Sequence, residues 1–286
     1  MTPIVVVAVL AAAIIHASWN ALAHGIRDQL LAFTLVGGGG TVCGALLAVF
    51  APVPAAGAWP ALLVSAVLHV VYQMLLMRSF HLGEFGQMYP IARGTAPLVV
   101  TVLAAVFVHE MPDAWQLAGV LLASAGLVGV ALWGLRGRRT SGGPSQGPAL
   151  LAAVCTGLAI AAYTVVDGVG VRASGSSLGY IAWLMILEGI PIPLYALAAR
   201  RGQLLTQLRP IAARGLLGGA LSVVAYGLVL WAQTRAPLAP VAALRESSII
   251  AGAAIGALFF KERFGWPRTA ASLLMVGGIA LMLHGS

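Results

Sequence analysis

Residues 88–131 read MYPIARGTAPLVVTVLAAVFVHEMPDAWQLAGVLLASAGLVGVA, and residues 240–283 read PVAALRESSIIAGAAIGALFFKERFGWPRTAASLLMVGGIALML. A constant shift of 152 aligns the two stretches without a gap, and 8 of the 44 positions are identical. Apolar residues match often by composition alone, so the polar coincidences carry the weight. Arg93 falls on Arg245 and Glu110 falls on Glu262. The chain therefore contains an internal repeat.

The composition around this repeat is typical of a membrane protein. Of 286 residues, 60% are hydrophobic and 8% are charged, against about 25% charged residues in a soluble domain. Apolar runs of about twenty residues are long enough, as helices, to cross a hydrocarbon core about 30 Å thick. We therefore expect an all-α integral membrane protein with ten transmembrane helices. The predicted helices are 3–22, 30–50, 59–80, 86–107, 114–135, 148–170, 177–199, 212–235, 238–260 and 267–284.

The positive charges indicate the orientation of these helices. When the gaps are numbered alternately, twelve Lys and Arg residues fall on one face of the membrane and only Arg172 and Arg235 on the other. Short basic loops remain in the cytoplasm. We therefore expect a bacterial-type inner (plasma) membrane protein with both termini outside. The net charge of +8 then reflects membrane orientation, and no nucleic-acid partner is expected.

One polar gap divides the predicted helices into two sets of five. Residues 136–147, RGRRTSGGPSQG, are predicted to form a cytoplasmic linker between a first repeat, 1–135, and a second repeat, 148–286. A shift of 147 also places Asn20 on Asp167, each near the end of the first helix of its half. Because five is an odd number, the second half enters the membrane from the opposite side. The sequence thus predicts two inverted-topology repeats, an arrangement found in many secondary transporters.

The second half contains four short motifs: Trp231-Ala232, Ala239-Pro240-Val241-Ala242, Phe259-Phe260-Lys261-Glu262-Arg263 and Gly277-Gly278-Ile279. Together they resemble the EamA-like repeat of the drug/metabolite transporter superfamily. The resemblance extends over the whole chain, strongly in 212–284 and more weakly in 59–131. It implies a ten-helix carrier of small metabolites or drugs that works by alternating access. Arg93 and Arg245-Glu246 stand where apolar residues and proline are more usual, so the substrates of other members are not carried over.

Polar side chains in the predicted helices mark a candidate site, because such groups in a bilayer normally face a cavity or pair with one another. On three helices they recur at spacings of three or four residues, which places them on one face. They are His16, Trp19 and Asn20 on the first helix, His69, Tyr72 and Gln73 on the third, and Tyr163 and Asp167 on the sixth. These faces predict a central cavity. Alternatively, His16 and His69 only hold helices together by hydrogen bonds.

Glu188 is the strongest single candidate. It lies about eleven residues from either end of the seventh predicted helix and has no basic residue within one turn. A carboxylate near the bilayer midplane could bind an amine or exchange a proton. Alternatively, it is the permanent partner of Arg245 or Arg93.

Arg93 and Arg245 have two interpretations as well. They could bind the carboxylate or phosphonate group of a substrate. Alternatively, they form gates, with Asp167 and Arg245 as an external ion pair and Asn20 and Arg93 as its cytoplasmic counterpart. Glu246, which follows Arg245 directly, belongs to the same gating set.

These features predict a secondary transporter that moves a small amine-bearing metabolite, an amino acid or related zwitterion, across the inner membrane by alternating access. Coupling to protons is left open. The alternative is an exporter of cationic drugs or quaternary ammonium compounds, with the arginines structural. An integral-membrane enzyme is disfavoured, because no Ser-His-Asp order and no H-E-x-x-H motif is present. The expected partners are the substrate and the lipid bilayer, with no cofactor or metal, and the chain is expected to be a monomer or homodimer.

Overall fold

The computed structural model describes residues 1–82, 85–138, 147–251 and 266–284, and within these ranges it contains helices and no β-strand. The α-helices are α1 (Pro3–His24), α2 (Gln29–Phe50), α3 (Trp59–Leu82), α4 (Phe85–Leu103), α5 (Ala114–Arg138), α6 (Gly147–Ala173), α7 (Ser177–Gly189), α8 (Pro191–Arg200), α9 (Leu204–Leu208), α10 (Ala212–Gln233), α11 (Leu238–Arg245) and α12 (Trp266–His284). The chain is thus all-helical over the described residues, as the apolar runs predicted.

Most of the predicted helices occur close to their predicted bounds. The fourth continues beyond Leu103 as one π-helical turn, Ala104–Val108. Over the described residues, seven segments are long and apolar enough to cross a membrane, and two shorter apolar helices are Ala114–Gly129 and Thr269–His284. Most of the predicted linker 136–147 and the end of the ninth predicted helix lie outside the described residues. Ten membrane-spanning helices therefore remain a prediction.

Two predicted helices are interrupted, which corrects the sequence interpretation. The predicted helix 177–199 is divided into α7 and α8 at Ile190 and Pro191, because proline lacks an N–H group and its ring clashes with the preceding turn. The predicted helix 238–260 is interrupted after Arg245 by a turn at 246–247, and helix resumes at 248. Glu188 is therefore next to the last residue of α7, although the apolar span Ser177–Arg200 around it is continuous.

The main helix pairs follow the repeat. When each helix is replaced by its counterpart in the other half, each pair becomes itself or another observed pair. Helix α5 packs on α12, and α2 packs on α7. The contact of α3 with α6 is matched by the contact of α10 with α1, which are their counterparts in the other half. Two halves related by a pseudo-two-fold axis would produce this pattern.

Glycine allows the backbones of α5 and α12 to touch. A Cβ atom at Gly119 would lie 2.5 Å from the carbonyl oxygen of Gly278, and one at Gly278 would lie 2.6 Å from the carbonyl oxygen of Gly119. Small residues at such crossings are a common means of packing helices in membranes, where the lipid offers little hydrophobic driving force between them. The close approach explains why both positions lack a side chain.

We expect Gly278→Ala to lower the melting temperature of the detergent-purified protein, because the added methyl forces α5 and α12 apart at a cost of about 1–3 kcal/mol. Gly277→Ala is the matched control. Its Cβ would meet only Leu122 Cδ2, at 3.4 Å, and alanine favours the helix over glycine. Equal melting temperatures for the two variants would contradict the close approach.

Loops that were assigned to the same membrane face contact one another. On the predicted outer face, the Arg172 guanidinium donates to Glu110 Oε1 at 2.6 Å, and Glu110 Oε2 accepts from the Leu238 N–H at 2.7 Å. On the predicted cytoplasmic face, Arg200 pairs with Asp28, whose side chain caps the first turn of α2. Each of these contacts joins the first half to the second. They agree with the alternate numbering of the gaps.

Candidate functional site

A cavity of about 70 Å³ lies between the two halves of the chain. Seven helices line it: α1, α2, α3, α6, α7, α10 and α11. Of the predicted site residues, it is lined by His16, Trp19, His69, Tyr72, Gln73, Tyr163, Glu188 and Arg245. Asn20, Arg93 and Asp167 are not among its lining residues. The periodic polar faces identified in the sequence therefore converge on one space.

Helix α1 presents His16 and Trp19 to the cavity. Trp19 Nε1 donates a hydrogen bond to His16 Nδ1 at 3.2 Å, and the two rings are nearly perpendicular, with centroids 5.1 Å apart. Asn20 donates its amide hydrogen to the carbonyl oxygen of His16 at 2.8 Å. Because this bond lies within α1, the Asn20 amide stabilises the local helix and leaves the cavity wall to the two rings.

Helix α3 places His69 at the centre of an aromatic cluster. The His69 ring stacks on Tyr163, with centroids 3.9 Å apart, and its edge contacts the ring of Tyr226 at 5.3 Å. Tyr72, one turn further along α3, contacts Tyr163 edge to face at 5.5 Å. The rings of α3, α6 and α10 thus form one continuous wall, which offers several π faces to a bound cation.

Glu188 lies where α7 ends, beside the closest approach of α7 to α2. A Cβ atom at Gly189 would lie 2.5 Å from the carbonyl oxygen of Gly37, so the absence of a side chain at Gly189 brings Glu188 to the cavity wall. The Glu188 side chain is 9% exposed, and its Oε2 atom is 3.6 Å from His69 Nδ1. That buried oxygen has no hydrogen-bond partner among the described residues. A buried carboxylate oxygen without a donor is costly, which is a reason to expect a ligand there.

Asp167 lies behind the tyrosine wall and is fully buried. The hydroxyl of Tyr180 donates to its Oδ1 at 2.9 Å, and the hydroxyl of Tyr226 donates to its Oδ2. Its Oδ2 is also 3.9 Å from His69 Nε2. The predicted external ion pair of Asp167 with Arg245 is not among the contacts of this structure, in which the carboxylate meets the two tyrosines and His69. The i, i+4 spacing of Tyr163 and Asp167 indicated that Asp167 lies near the site. Its oxygens, however, accept hydrogen bonds from the tyrosines of α7 and α10.

The two arginines that the repeat aligns are brought together by Glu246. Arg93 Nε is 2.7 Å from Glu246 Oε2, and Arg93 Nη2 donates to Ser248 Oγ at 3.0 Å. Arg245 Nε is 3.8 Å from Glu246 Oε1. The predicted contact of Arg93 with Asn20 at a cytoplasmic gate is not seen either, and the Asn20 amide donates within α1 instead. Because the break after Arg245 turns Glu246 towards α4, the acid joins both arginines in one buried cluster.

Arg245 differs from Arg93 in reaching the cavity. Its guanidinium carbon lies 5.9 Å from the centroid of the Tyr163 ring, and the residue is 3% exposed. Its Nε and Nη2 atoms have no hydrogen-bond partner among the described residues. Buried guanidinium donors without acceptors are costly in the same way as the free oxygen of Glu188. The cavity thus contains one unsatisfied acceptor and one unsatisfied set of donors.

Comparison with known proteins agrees with this architecture. The family model described as the EamA-like transporter family matches the chain twice, over residues 3–132 and 147–284. The chain belongs to the EamA-like transporter family. The cavity of this EamA-like transporter is lined by helices from both matched segments. It is therefore a membrane transporter of small molecules by family, with a candidate site at the interface of its two repeats.

No curated protein matches the sequence of this EamA-like transporter. A solved structure titled "Crystal structure of protein" is similar to it, with a TM-score of 0.69 and 16% sequence identity. The match covers 97% of this chain and 96% of that chain. At this identity the similarity shows a shared fold over the full length and carries no information about substrate.

Sequence reasoning missed several residues of the EamA-like site, of which Tyr226 is the most important. Tyr226 donates to Asp167, contacts the rings of His69 and Tyr163, and lines the cavity together with Ser222. A signal was present, because Ser222 and Tyr226 are four residues apart in an otherwise apolar helix, the spacing used by His69 and Gln73. The remaining lining residues, among them Phe33, Val36, Gly37, Gly40, Met185 and Gly189, are small or apolar and gave no signal.

Proposed function

We propose that this EamA-like protein is a secondary transporter of a small amine-bearing metabolite, an amino acid or related zwitterion, which it moves across the inner membrane by alternating access. One observation carries the proposal. The cavity between the repeats contains a buried carboxylate, Glu188, and a buried guanidinium, Arg245, and each has polar atoms without a hydrogen-bond partner among the described residues.

The charges of these two groups match the two ends of a zwitterion. A buried charged group with polar atoms that lack hydrogen bonds is destabilising. The contacts of Glu188 with His69 at 3.6 Å and of Arg245 with Glu246 at 3.8 Å replace only part of the lost hydration. An ammonium group at Glu188 and a carboxylate at Arg245 would satisfy both residues at once. The arrangement favours one molecule with both charges over two separate ligands, since the two residues line the same small cavity.

The remaining lining supports a small amine. The rings of Trp19, Tyr72, Tyr163 and Tyr226 line the same cavity as Glu188, and aromatic faces attract cations. The cavity has a volume of about 70 Å³. That space suits a compact metabolite better than an extended drug.

The architecture supports alternating access. The cavity lies between two repeats, and the repeats contact each other on both faces: Arg172 with Glu110 on the predicted outer face and Arg200 with Asp28 on the predicted cytoplasmic face. In carriers built from inverted repeats, one repeat rocks against the other around a site at the interface. The excess of positive charge in one set of loops supports the assignment of that face to the cytoplasm of a bacterial-type inner membrane.

A second candidate function is the export of cationic drugs or quaternary ammonium compounds. It is favoured by the combination of Glu188 with several aromatic rings, which is the composition of a cation cage. It leaves the buried donors of Arg245 without a role, and for that reason we place it second.

The experiment that decides between the two is a ligand panel read by thermal shift on detergent-purified protein. The twenty standard amino acids are tested first, and then the decarboxylated amine and the deaminated acid that correspond to the best binder. We expect the zwitterion to raise the melting temperature more than either fragment. If the amine stabilises the protein as well as the zwitterion, the cation exporter is supported. If no amine-bearing compound shifts the melting temperature, the proposal fails.

Arg245→Gln should remove the preference for the zwitterion over its decarboxylated amine. Loss of a charge-assisted hydrogen bond costs about 1.5–3 kcal/mol, which corresponds to an affinity about 10 to 150 times lower for the zwitterion. The amine fragment should bind the variant and the wild type equally well. Arg214→Gln, which alters an exposed arginine of α10, is the control. Unchanged zwitterion affinity in Arg245→Gln would remove Arg245 from the site.

A further inference from the structure

His69 lies between two buried carboxylates. Its Nε2 atom is 3.9 Å from Asp167 Oδ2, and its Nδ1 atom is 3.6 Å from Glu188 Oε2. The residue is 5% exposed. The two acids belong to different helices, α6 and α7, so the imidazole is the link between the buried Asp167 and the cavity residue Glu188.

The hydrogen bonds of the ring agree with a hydrogen on Nδ1. His69 Nδ1 is 3.0 Å from the carbonyl oxygen and 3.1 Å from the hydroxyl oxygen of Ser65, one turn earlier on α3. A carbonyl oxygen only accepts, and a hydroxyl oxygen can accept as well as donate, so both contacts are compatible with a hydrogen on Nδ1. In the neutral ring, Nε2 then presents a lone pair towards Asp167. In the protonated ring, Nε2 presents an N–H group instead.

The surroundings of Asp167 favour the second arrangement. Tyr180 and Tyr226 donate a hydroxyl to one oxygen each, and donors of this kind stabilise the ionised carboxylate. A lone pair on Nε2 facing that carboxylate would be repelled, whereas an N–H group would be attracted. An N–H group on Nε2 therefore suits the neighbouring carboxylate better than a lone pair does.

The formal charges of the buried side chains around His69 also favour a proton on the ring, because they lack one positive charge. Among the described residues, the buried ionisable side chains of this region are Arg93 on α4, Arg245 on α11, Glu246 after α11, Asp167 on α6 and Glu188 on α7. In their formal charge states at neutral pH they carry two positive and three negative charges, a net charge of −1. Tyr163 and Tyr226 face His69 as well, and His16 lines the same cavity. One proton on His69 brings the set to neutrality.

We propose that His69 is the proton-binding residue of this transporter, holding the proton on Nε2 between Asp167 and the Glu188 end of the cavity, and that a zwitterionic substrate is carried together with this proton. The inference rests on the proposed function. A zwitterion at Glu188 and Arg245 adds no net charge, so the deficit remains and the proton is bound with the substrate. A simple cation would supply the missing positive charge itself and compete with the proton. The net buried charge thus determines whether a substrate moves together with the proton or in competition with it.

The test uses the full-length protein in vesicles that enclose the pH indicator pyranine. The twenty radiolabelled amino acids are added outside as a pool, and tracer uptake and internal pH are recorded together. We expect wild-type vesicles to acidify inside as tracer enters, with about one proton per amino acid. Tracer uptake without any pH change in the wild type overturns the proton assignment but leaves the proposed function standing. Absence of tracer uptake, together with no thermal shift by any amino acid, overturns the proposed function itself.

Two variants locate the proton. His69→Gln and Asp167→Asn should each lower the number of protons moved per amino acid at least tenfold, while thermal shift still detects amino-acid binding. His284→Gln, at the end of α12 and outside the cavity, should behave as wild type. Unchanged proton flux in folded His69→Gln would assign the proton to another residue and overturn the inference. The wild-type stoichiometry decides the coupling even if a variant does not fold.

Discussion

Glu188→Gln is expected to weaken the binding of amine-bearing ligands without destabilising the empty protein. The carboxylate supplies the negative charge in the cavity wall that faces an ammonium group, and removing a charge-assisted contact costs about 1.5–3 kcal/mol. Affinity should therefore fall about 10 to 150 times, as measured by thermal shift over a ligand titration. The melting temperature without ligand should stay the same or rise, because the buried Glu188 Oε2 atom has no hydrogen-bond partner among the described residues and a neutral amide is cheaper to bury.

The combination of these two results is what identifies a binding residue. A structural carboxylate would lose stability on substitution, and binding would fall only as a consequence of unfolding. Deaminated acids, which bear no ammonium group, should bind Glu188→Gln at least as well as the wild type. Glu110→Gln alters a carboxylate on the predicted outer face, away from the cavity, and should leave affinity unchanged. Equal amine affinity in wild type and Glu188→Gln would show that the assignment of Glu188 is wrong.

Arg93→Leu is expected to destabilise the protein strongly while it leaves the cavity lining intact. Arg93 and Glu246 are 2% and 1% exposed in their side chains, and Arg93 Nε is 2.7 Å from Glu246 Oε2. Removing Arg93 takes away the partner at 2.7 Å and leaves Glu246 with Arg245 at 3.8 Å. Breaking a buried pair in this way costs about 3–5 kcal/mol. The expected readout is a lower melting temperature of the detergent-purified protein and a smaller monodisperse fraction on size-exclusion chromatography.

The double variant Arg93→Leu with Glu246→Leu separates an ion pair from a role in substrate binding. The double variant removes the acid that lost its partner, but it also takes Glu246 away from the buried Arg245. The melting temperature should therefore recover part of the loss caused by Arg93→Leu alone. Arg214→Ala, at an exposed position, should change the melting temperature little. If Arg93→Leu is as stable as the wild type, the buried pair does not hold the two repeats together.

The helices could be predicted because their signal is local. A run of about twenty apolar residues is long enough to cross a bilayer whatever surrounds it, and α1, α2, α3 and α10 end near the places where charge, Pro or Gly interrupts such a run. The breaks were harder to predict. The predicted helix 177–199 is interrupted at Pro191, which separates α7 from α8. Pro97 and Pro240 also lie inside apolar spans, and neither ends a helix. Whether a proline breaks a helix depends on the neighbours that satisfy the freed carbonyl groups.

The candidate site was also predictable only in part. Helical spacing places His16 with Trp19 and His69 with Tyr72 on common faces, and those faces do meet at the cavity. The partners of the charged groups were not predictable from spacing. Asp167 was assigned to Arg245, yet its oxygens accept from Tyr180 and Tyr226. Which charges meet depends on the rotation and depth of each helix, and these are set by contacts between helices that are far apart in sequence.

By itself, the sequence determined that this chain is a membrane protein built from two related halves, and that its few polar residues within apolar spans belong to a site. Hydropathy, repeat spacing and loop charge carry that information, because each arises from single segments and their interaction with lipid and water. Only the tertiary structure decided that Arg93, Arg245 and Glu246 form one buried cluster and that His69 lies between two acids. It decided equally that Glu188 and Arg245 reach the cavity with unsatisfied polar atoms. Those outcomes depend on close packing between helices, including the glycine contact that places Glu188 at the cavity wall. The sequence of a single segment does not contain this information.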